Sequence, residues 1–253
     1  MLALKLLLVP AVVLAVTLIG RRWGPQVAGW MAGLPVLTGP ILFILWLEQG
    51  PEFARGAANG AGAGVFGFVS FGTTYARCAQ RTAWPLAFSV ALAAWCVAVL
   101  VLSVLPDAVL VSAAIAFAGL LAAPFLFPDV GAAMPARPLA KGDLVLRMAT
   151  GAALTLVVTY AASAVGARWS GLLTVFPILG CVLAVFSHRT QGAKFAAALL
   201  RAMAIGMYAF LAFCLALTVA LDHVGAPAAF AIAVAVCLGV QAASMRHLRR
   251  ATK

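Results

Sequence analysis

Charged residues are scarce in this sequence, and acidic residues are the scarcest of them. Only 9% of the 253 residues are charged, with six acidic against 17 basic side chains, while 65% are hydrophobic. A soluble domain carries roughly 25% charged residues, so the composition predicts an integral membrane protein. The formal net charge of +11 does not indicate a nucleic-acid partner, because the basic residues stand in short clusters between apolar runs, as topology signals do.

The side chains that catalysis and metal binding require are also few. The three histidines stand alone at the edges of apolar runs, and the five cysteines show no C-x-x-C spacing. All six acidic residues fall at helix ends or in loops, so no paired carboxylates are available inside the membrane for acid–base chemistry. The motifs H-E-x-x-H and G-x-S-x-G and the P-loop are absent. The sequence therefore predicts no enzyme, no cofactor, and no metal or disulfide site.

Apolar runs are abundant, and their lengths predict the fold. A helix needs about 20 apolar residues to cross the ~30 Å hydrocarbon core of a bilayer. By this measure the chain is an all-α membrane protein with nine transmembrane helices, at residues 2–20, 25–47, 54–76, 84–104, 108–127, 144–165, 169–187, 196–220 and 226–245. A polar loop at 128–143 and a basic tail at 247–253 are predicted to lie in the cytoplasm.

The sequence repeats itself at a spacing of 142 residues, the distance from Gly24 to Gly166. Residue types that are sparse here coincide in this register without a gap, whereas matches of alanine or leucine would mean little. The matched pairs include Gly29 with Gly171, Pro35 with Pro177, Gln49 with Gln191, Gly50 with Gly192, Gly64 with Gly206 and Pro85 with Pro227. We interpret residues 2–104 and 144–246 as two copies of a four-helix unit. The alternative is chance similarity between membrane segments.

The helix at 108–127 belongs to neither copy and sets the relative orientation of the two. Five crossings precede the second copy, so it enters the membrane from the opposite side, which predicts inverted-topology repeats as in many secondary transporters. Fourteen lysines and arginines fall on the side reached after an odd number of helices, and three fall on the other side. By the positive-inside rule, the C-terminus is cytoplasmic and the N-terminus lies outside.

The stretch GLPVLTGP at 33–40 interrupts the second predicted helix. Pro35 and Pro40 each remove an amide donor, which deprives the carbonyls around Met31 and Val36 of their helical partners. Such breaks persist in a membrane only where protein or a watery cavity satisfies the backbone. The second copy has VFPILGC at 175–181, and paired interruptions of this kind indicate a transporter binding site. The alternative for each helix alone is a packing kink. The predicted substrate-binding residues are Pro35, Thr38, Gly39, Pro40, Pro177 and Gly180.

Other polar residues lie at equivalent positions of the two copies. Asn59 and Arg201 fall inside the third and eighth predicted helices and are further substrate-binding candidates. The alternative for Arg201 is that its side chain extends to the cytoplasmic interface, as long basic side chains near helix ends do. Glu48, Gln49 and Gln191 follow the interrupted helices and are candidates for a gate. The simpler interpretation of the Gln-Gly pairs is a helix end.

Small residues recur at every fourth position of the same two helices. The first copy has Gly56, Gly60 and Gly64, and the second has Ala198, Ala202 and Gly206 in register. This spacing lets helix backbones approach closely. We therefore expect the third and eighth helices to be central to the bundle.

GLLTVFP at 171–177, followed by a short apolar run and a polar turn, resembles the GlpM-like family of small bacterial inner-membrane proteins. Those proteins look like single four-helix units of about half this length, and the resemblance covers residues 144–246. The first half departs from it, with AGLP at 32–35 placing leucine where phenylalanine is expected. The resemblance implies architecture and the bacterial inner membrane, with no biochemical activity attached.

The sequence favours a secondary transporter or exporter of a small solute, with the site at the two interrupted helices. The solute is expected to be anionic or neutral and polar, because no acidic residue lies within the membrane. A non-transporting scaffold or assembly protein is the alternative, and a lipid-modifying enzyme is the least favoured. The predicted partners are the bilayer and the solute, and the sequence leaves self-association open.

Overall fold

The computed structural model of the chain describes residues 2–131, 142–164 and 176–251, and every regular element in these ranges is an α-helix. In chain order the helices are α1 Leu2–Ala32, α2 Thr38–Gln49, α3 Pro51–Ala79, α4 Trp84–Val104, α5 Val109–Leu126, α6 Asp143–Ala164, α7 Ile178–Gln191, α8 Ala193–Ala220 and α9 Ala226–Ala251. Parts of the predicted loop 128–143 and of the predicted helix 169–187 lie outside the described residues.

The helix α1 folds back on itself at Gly24. This glycine has φ 86° and ψ 173°, close to the conformation of Gly50 and Gly192, where the chain leaves one helix and begins the next. A Cβ built on Gly20 would lie 3.3 Å from the Cβ of Ala28, a distance that a straight helix cannot give to residues eight positions apart. We call residues 2–23 the first limb and residues 25–32 the second limb. The turn separates the first two predicted helices.

Six of the described helices are long and apolar enough to cross a membrane. Their candidate spans are Leu6–Ala32, Trp84–Val104, Val109–Leu126, Asp143–Tyr160, Ala193–Ala220 and Ala226–Ser244. Helices α2 and α7 have only 12 and 14 residues, or about 18 and 21 Å of length, so neither spans ~30 Å alone. Helix α3 has 29 residues and is long enough to span, but it is rich in glycine and is not one of the six candidate spans. The prediction of nine crossings therefore stays a prediction.

Large apolar side chains cover the outside of the bundle. Phe125 and Leu110 are more than four-fifths exposed, at 84% and 83%. Exposed apolar surface on this scale marks a membrane or protein interface. Together with the six long helices, it indicates a membrane protein.

Helix α8 is the most buried of the candidate spans. Within its most apolar window 56% of the residues are buried, against 28% or less for the other five. It packs against α1, α3, α7 and α9, and α3 packs in turn against α4 and α5. The small side chains of α8 allow these close contacts, in agreement with the expectation that the third and eighth predicted helices are central.

The first limb of α1 packs antiparallel to α6. A Cβ on Gly151 would contact Val9 and Val13 at 3.3 and 3.5 Å. Arg147, one turn earlier in α6, instead shares a cavity with Gly20 and Arg21 at the other end of the limb. The first limb of α1 and helix α6 therefore run in opposite directions.

Candidate functional site

The first helix break is a turn around Pro35. The second limb of α1 ends at Ala32, and the amide of Val36 donates to the carbonyl of Leu34 over 2.8 Å, which closes an inverse γ-turn across the proline. Helical bonding then resumes with the amide of Gly39 donating to the carbonyl of Pro35 over 2.8 Å. The backbone is therefore interrupted for one turn and restarts as α2.

The same turn occurs around Pro177. The amide of Ile178 donates to the carbonyl of Phe176 over 2.8 Å, and the amide of Cys181 donates to that of Pro177 over 2.8 Å. Pro177 has φ −79° and ψ 60°, the inverse γ-turn conformation. Each of these two bonds joins residues 142 positions after its counterpart at Pro35. Whether a helix precedes this turn lies outside the described residues.

One carbonyl that the first break leaves without its helical donor is that of Trp30. The prediction placed the unpartnered carbonyls around Met31 and Val36; the Met31 carbonyl itself accepts from the amide of Leu34 over 3.1 Å, and its neighbour Trp30 loses that donor instead. The side-chain amide of Gln241 in α9 donates to the Trp30 carbonyl over 3.1 Å. The Trp30 indole donates to the hydroxyl of Ser244 over 2.8 Å. The C-terminal half of α9 therefore holds the broken end of α1.

Replacing Gln241 with leucine is expected to lower the free energy of unfolding by about 1–3 kcal/mol, because the buried Trp30 carbonyl loses its donor. Gln80→Leu is the matched control, since Gln80 is exposed and its side-chain amide, among the described residues, donates to the carbonyl of Ala76 one turn earlier. Unfolding of both variants in detergent by tryptophan fluorescence measures the difference. Equal stabilities would show that Gln241 does not support the break.

The two proline turns contribute to one apolar cluster. Leu37 from the first turn and Ile178 and Leu179 from the second pack around Val9 and Val13 of α1. Side chains from both turns thus border the same cluster beside the first limb. Within the described part of the chain, no side chain caps the N-terminus of α2 or α7.

Each restarted helix also rests on a phenylalanine from the other half of the chain. A Cβ on Gly39 would lie 3.7 Å from the ring of Phe213 in α8, and one on Gly180 would lie 3.1 Å from the ring of Phe68 in α3. The two predicted site residues are not equivalent in the 142-residue register, where Gly39 matches Cys181 and Gly180 matches Thr38, but each packs against an aromatic ring. Thr38 is half-buried and Pro40 is exposed.

Trp95 packs beside the second proline turn, a contact that the sequence did not reveal. Its ring meets that of Phe176 edge to face, with the centroids 5.0 Å apart, directly before Pro177. The indole is buried, and its N–H has no hydrogen-bond partner among the described residues. A tryptophan in a long apolar run gives no signal of this kind. The ring packs beside the second proline turn, whereas its Nε1 faces Gly67 of α3, where a Cβ would lie 3.2 Å away.

Asn59 and Arg201 do not have equivalent surroundings. The Asn59 amide donates to the carboxylate of Asp107 over 2.6 Å, and its own carbonyl oxygen is buried without a partner in the described ranges. Arg201 is half-buried. The bond to Asp107 ties Asn59 to the loop between α4 and α5 and does not connect it to the proline turns.

The predicted gate residues lie at opposite ends of the bundle. Glu48 and Gln49 are exposed at the end of α2, where α3 begins. Gln191 ends α7 and lines a cavity with Arg21 and Arg147. They therefore do not form one cluster. Across the described ranges, no three or more histidine, cysteine, aspartate or glutamate side chains are grouped so that they could hold a metal ion.

No family model, curated protein or solved structure matches this chain. The resemblance to the GlpM-like family therefore stays a prediction. Function has to be argued from the geometry of the molecule itself.

Proposed function

We propose that the protein is a bacterial inner-membrane transporter or exporter of a small anionic or neutral polar solute, bound between the two proline turns. The observation that carries this proposal is the same hydrogen-bond pattern at Pro35 and Pro177, with side chains from both turns in one cluster. Backbone breaks at membrane depth serve as binding sites in many transporters, because they expose polar groups where the rest of the span has none.

The helix bounds support two inverted repeats with nine crossings. Helices α2 and α7 end at Gln49 and Gln191, and α4 and α9 begin at Trp84 and Ala226. Both pairs of positions are 142 residues apart. The antiparallel packing of α1 on α6, which are equivalent in this register, also supports inversion. In the proposed nine crossings, the first limb of α1 forms the first crossing. The second limb belongs to the second crossing, which continues into α2.

The contacts between polar side chains support the proposed sidedness. Arg55 pairs with Asp222 at 3.3 Å, and both lie on the side predicted to face outward. The Tyr75 hydroxyl lies 3.3 Å from Nδ1 of His188, and both lie on the side predicted to be cytoplasmic. Contacts that mixed the two sides would oppose this topology.

The chemistry of the turns supports an anionic or neutral polar solute. The N-termini of α2 and α7 carry partial positive charge, which favours an anion or the negative end of a polar group. The site residues include no carboxylate to attract a cation.

Pro35→Ala combined with Pro177→Ala is expected to reduce solute flux to the level of protein-free liposomes. Alanine restores the missing amide and lets the helix continue through the turn. The matched control is Pro85→Ala with Pro227→Ala, a pair with the same spacing that lies in the first turns of α4 and α9, where proline is tolerated. Purified protein in liposomes, screened across solute classes under an imposed gradient, provides the measurement.

Failure of the folded wild-type protein to move any solute under any gradient would overturn the proposal. A stable partner that co-purifies with such an inactive protein would support the scaffold alternative.

A further inference from the structure

Exposed basic side chains gather at one end of the bundle. The fold-back of α1 lies at this end together with the start of α6 and the end of α7, since Arg21 lines one cavity with Arg147 and Gln191. The start of α4 lies there too, because the guanidinium carbon of Arg189 in α7 is 5.5 Å from the centroid of the Trp84 ring. The exposed basic residues of this end, among those described, are Arg21, Arg22, Arg77, Arg81, Arg189 and Lys194.

Few acidic side chains are available to neutralise this end. In the described ranges its acidic residues are Asp129 and Asp143, and Asp143 already pairs with Arg147 inside the bundle. Neither Arg21 nor Arg22 forms an ion pair with another described residue. The charge of these two neighbouring arginines is therefore available to a negatively charged group outside the protein.

Arg22 and Trp23 form an exposed pair suited to the boundary between membrane and water. The guanidinium carbon lies 5.1 Å from the centroid of the indole ring, and Trp23 is 57% exposed. Tryptophan is enriched at the level of the lipid headgroups, and arginines near a membrane surface attract anionic lipids. The pair directly precedes the turn at Gly24, so we expect the fold-back to lie at headgroup level.

An exposed stripe of the first limb runs from Arg22 back along the helix. Ala11, Ala15 and Leu18 are exposed and share a helix face with Arg22, because consecutive members of the set are three or four residues apart. From Arg22 to Ala11 the stripe covers about 16 Å along the helix axis, about half of the ~30 Å hydrocarbon core. This is the depth of one leaflet, so an acyl chain can lie along the stripe while its headgroup is level with Arg22.

We propose that the fold-back of α1 binds an anionic phospholipid such as phosphatidylglycerol, with Arg21 and Arg22 contacting the headgroup phosphate and an acyl chain lying along the stripe. A soluble anion would use the two charges alone, whereas the exposed Trp23 ring and the apolar stripe also match the interfacial and hydrocarbon parts of a lipid. The proposal requires only that the bundle lies in a membrane, so it does not depend on the proposed transport.

Titration of the purified protein in neutral detergent with phosphatidylglycerol, and with phosphatidylcholine of the same acyl chains, tests the proposal. Native mass spectrometry counts the bound lipids. The wild type is expected to bind phosphatidylglycerol roughly tenfold more tightly or better, because each arginine near an anionic group contributes about 1 kcal/mol, or about fivefold. Arg22→Gln is expected to weaken phosphatidylglycerol binding about fivefold and to leave phosphatidylcholine binding unchanged. The double variant Arg21→Gln, Arg22→Gln is expected to lose the preference.

Arg55→Gln is the matched control, because it removes the same charge from the opposite end of the bundle, where Arg55 pairs with Asp222 at 3.3 Å. It is expected to bind both lipids like the wild type. Thermal unfolding of each variant without added lipid checks that it is folded.

A second readout locates the lipid and decides the outcome if the arginine variants do not fold. Phosphatidylglycerol with brominated chains is expected to quench tryptophan fluorescence more than brominated phosphatidylcholine does, and Trp23→Phe is expected to reduce this excess. The proposal is overturned if the wild type does not prefer phosphatidylglycerol, if Arg22→Gln binds it like the wild type, if Arg55→Gln weakens it equally, or if Trp23→Phe leaves the excess quenching unchanged.

Discussion

Replacing Gly206 with valine is expected to prevent stable folding. A Cβ at Gly206 would lie 2.5 Å from the carbonyl oxygen of Trp30 and 2.9 Å from the Cα of Gly33. Both obstacles are backbone atoms, which cannot move aside as a flexible side chain can. The second limb of α1 would have to separate from α8 along the crossing. We expect a loss of about 3 kcal/mol or more in the free energy of unfolding, at the upper end of the cost of overpacking.

The chain contains a matched control for this substitution. Gly60 occupies the same small-residue pattern on α3, but it is exposed, and a Cβ there would meet nothing within 4 Å. Gly60→Val is therefore expected to change stability by less than about 1 kcal/mol. Unfolding of both variants in detergent provides the comparison. If Gly206→Val were as stable as Gly60→Val, the close crossing of α1 and α8 would be wrong.

Much of the helical layout could be predicted because apolar runs and glycine turns are local signals. The fourth predicted helix, 84–104, coincides with α4, and the gap between the first two predicted helices contains the turn at Gly24. Helix α3 begins at Pro51 and not at 54. Counting apolar residues misses a polar first turn, which a proline after Gly50 stabilises.

The proline turns could be predicted, but their surroundings could not. Proline removes its own backbone amide, so Pro35 and Pro177 predict an interruption of the helix from sequence alone. The partner of the Trp30 carbonyl is Gln241, 211 residues away, and only packing selects it. The position of the Trp95 indole is likewise set by packing.

The prediction treated Asn59 and Arg201 as equivalent. The sequence could not show that Asn59 would bond to Asp107, because the position of a loop depends on the whole bundle.

Asp143→Leu is expected to destabilise the protein by about 3–5 kcal/mol, the usual cost of breaking a buried ion pair. The side chains of Asp143 and Arg147 are only 9% and 3% exposed, with 2.6 Å between the carboxylate and Nε. Removing the carboxylate leaves an arginine that cannot lose its charge inside the bundle.

The double variant Asp143→Leu, Arg147→Met is expected to recover most of that loss, because replacing both charges with apolar groups of similar size is often neutral. The Thr190 hydroxyl already donates to the Phe186 carbonyl over 2.8 Å. Removing Arg147 therefore leaves neither that hydroxyl nor that carbonyl unpaired. Unfolding of the two single variants and the double variant forms a double-mutant cycle. A coupling energy below about 0.5 kcal/mol, within the range of independent sites, would mean that the two charges do not stabilise each other. In that case Arg147 would owe its position to Thr190 and the aromatic ring of Phe186, whose centroid lies 5.4 Å from the guanidinium carbon.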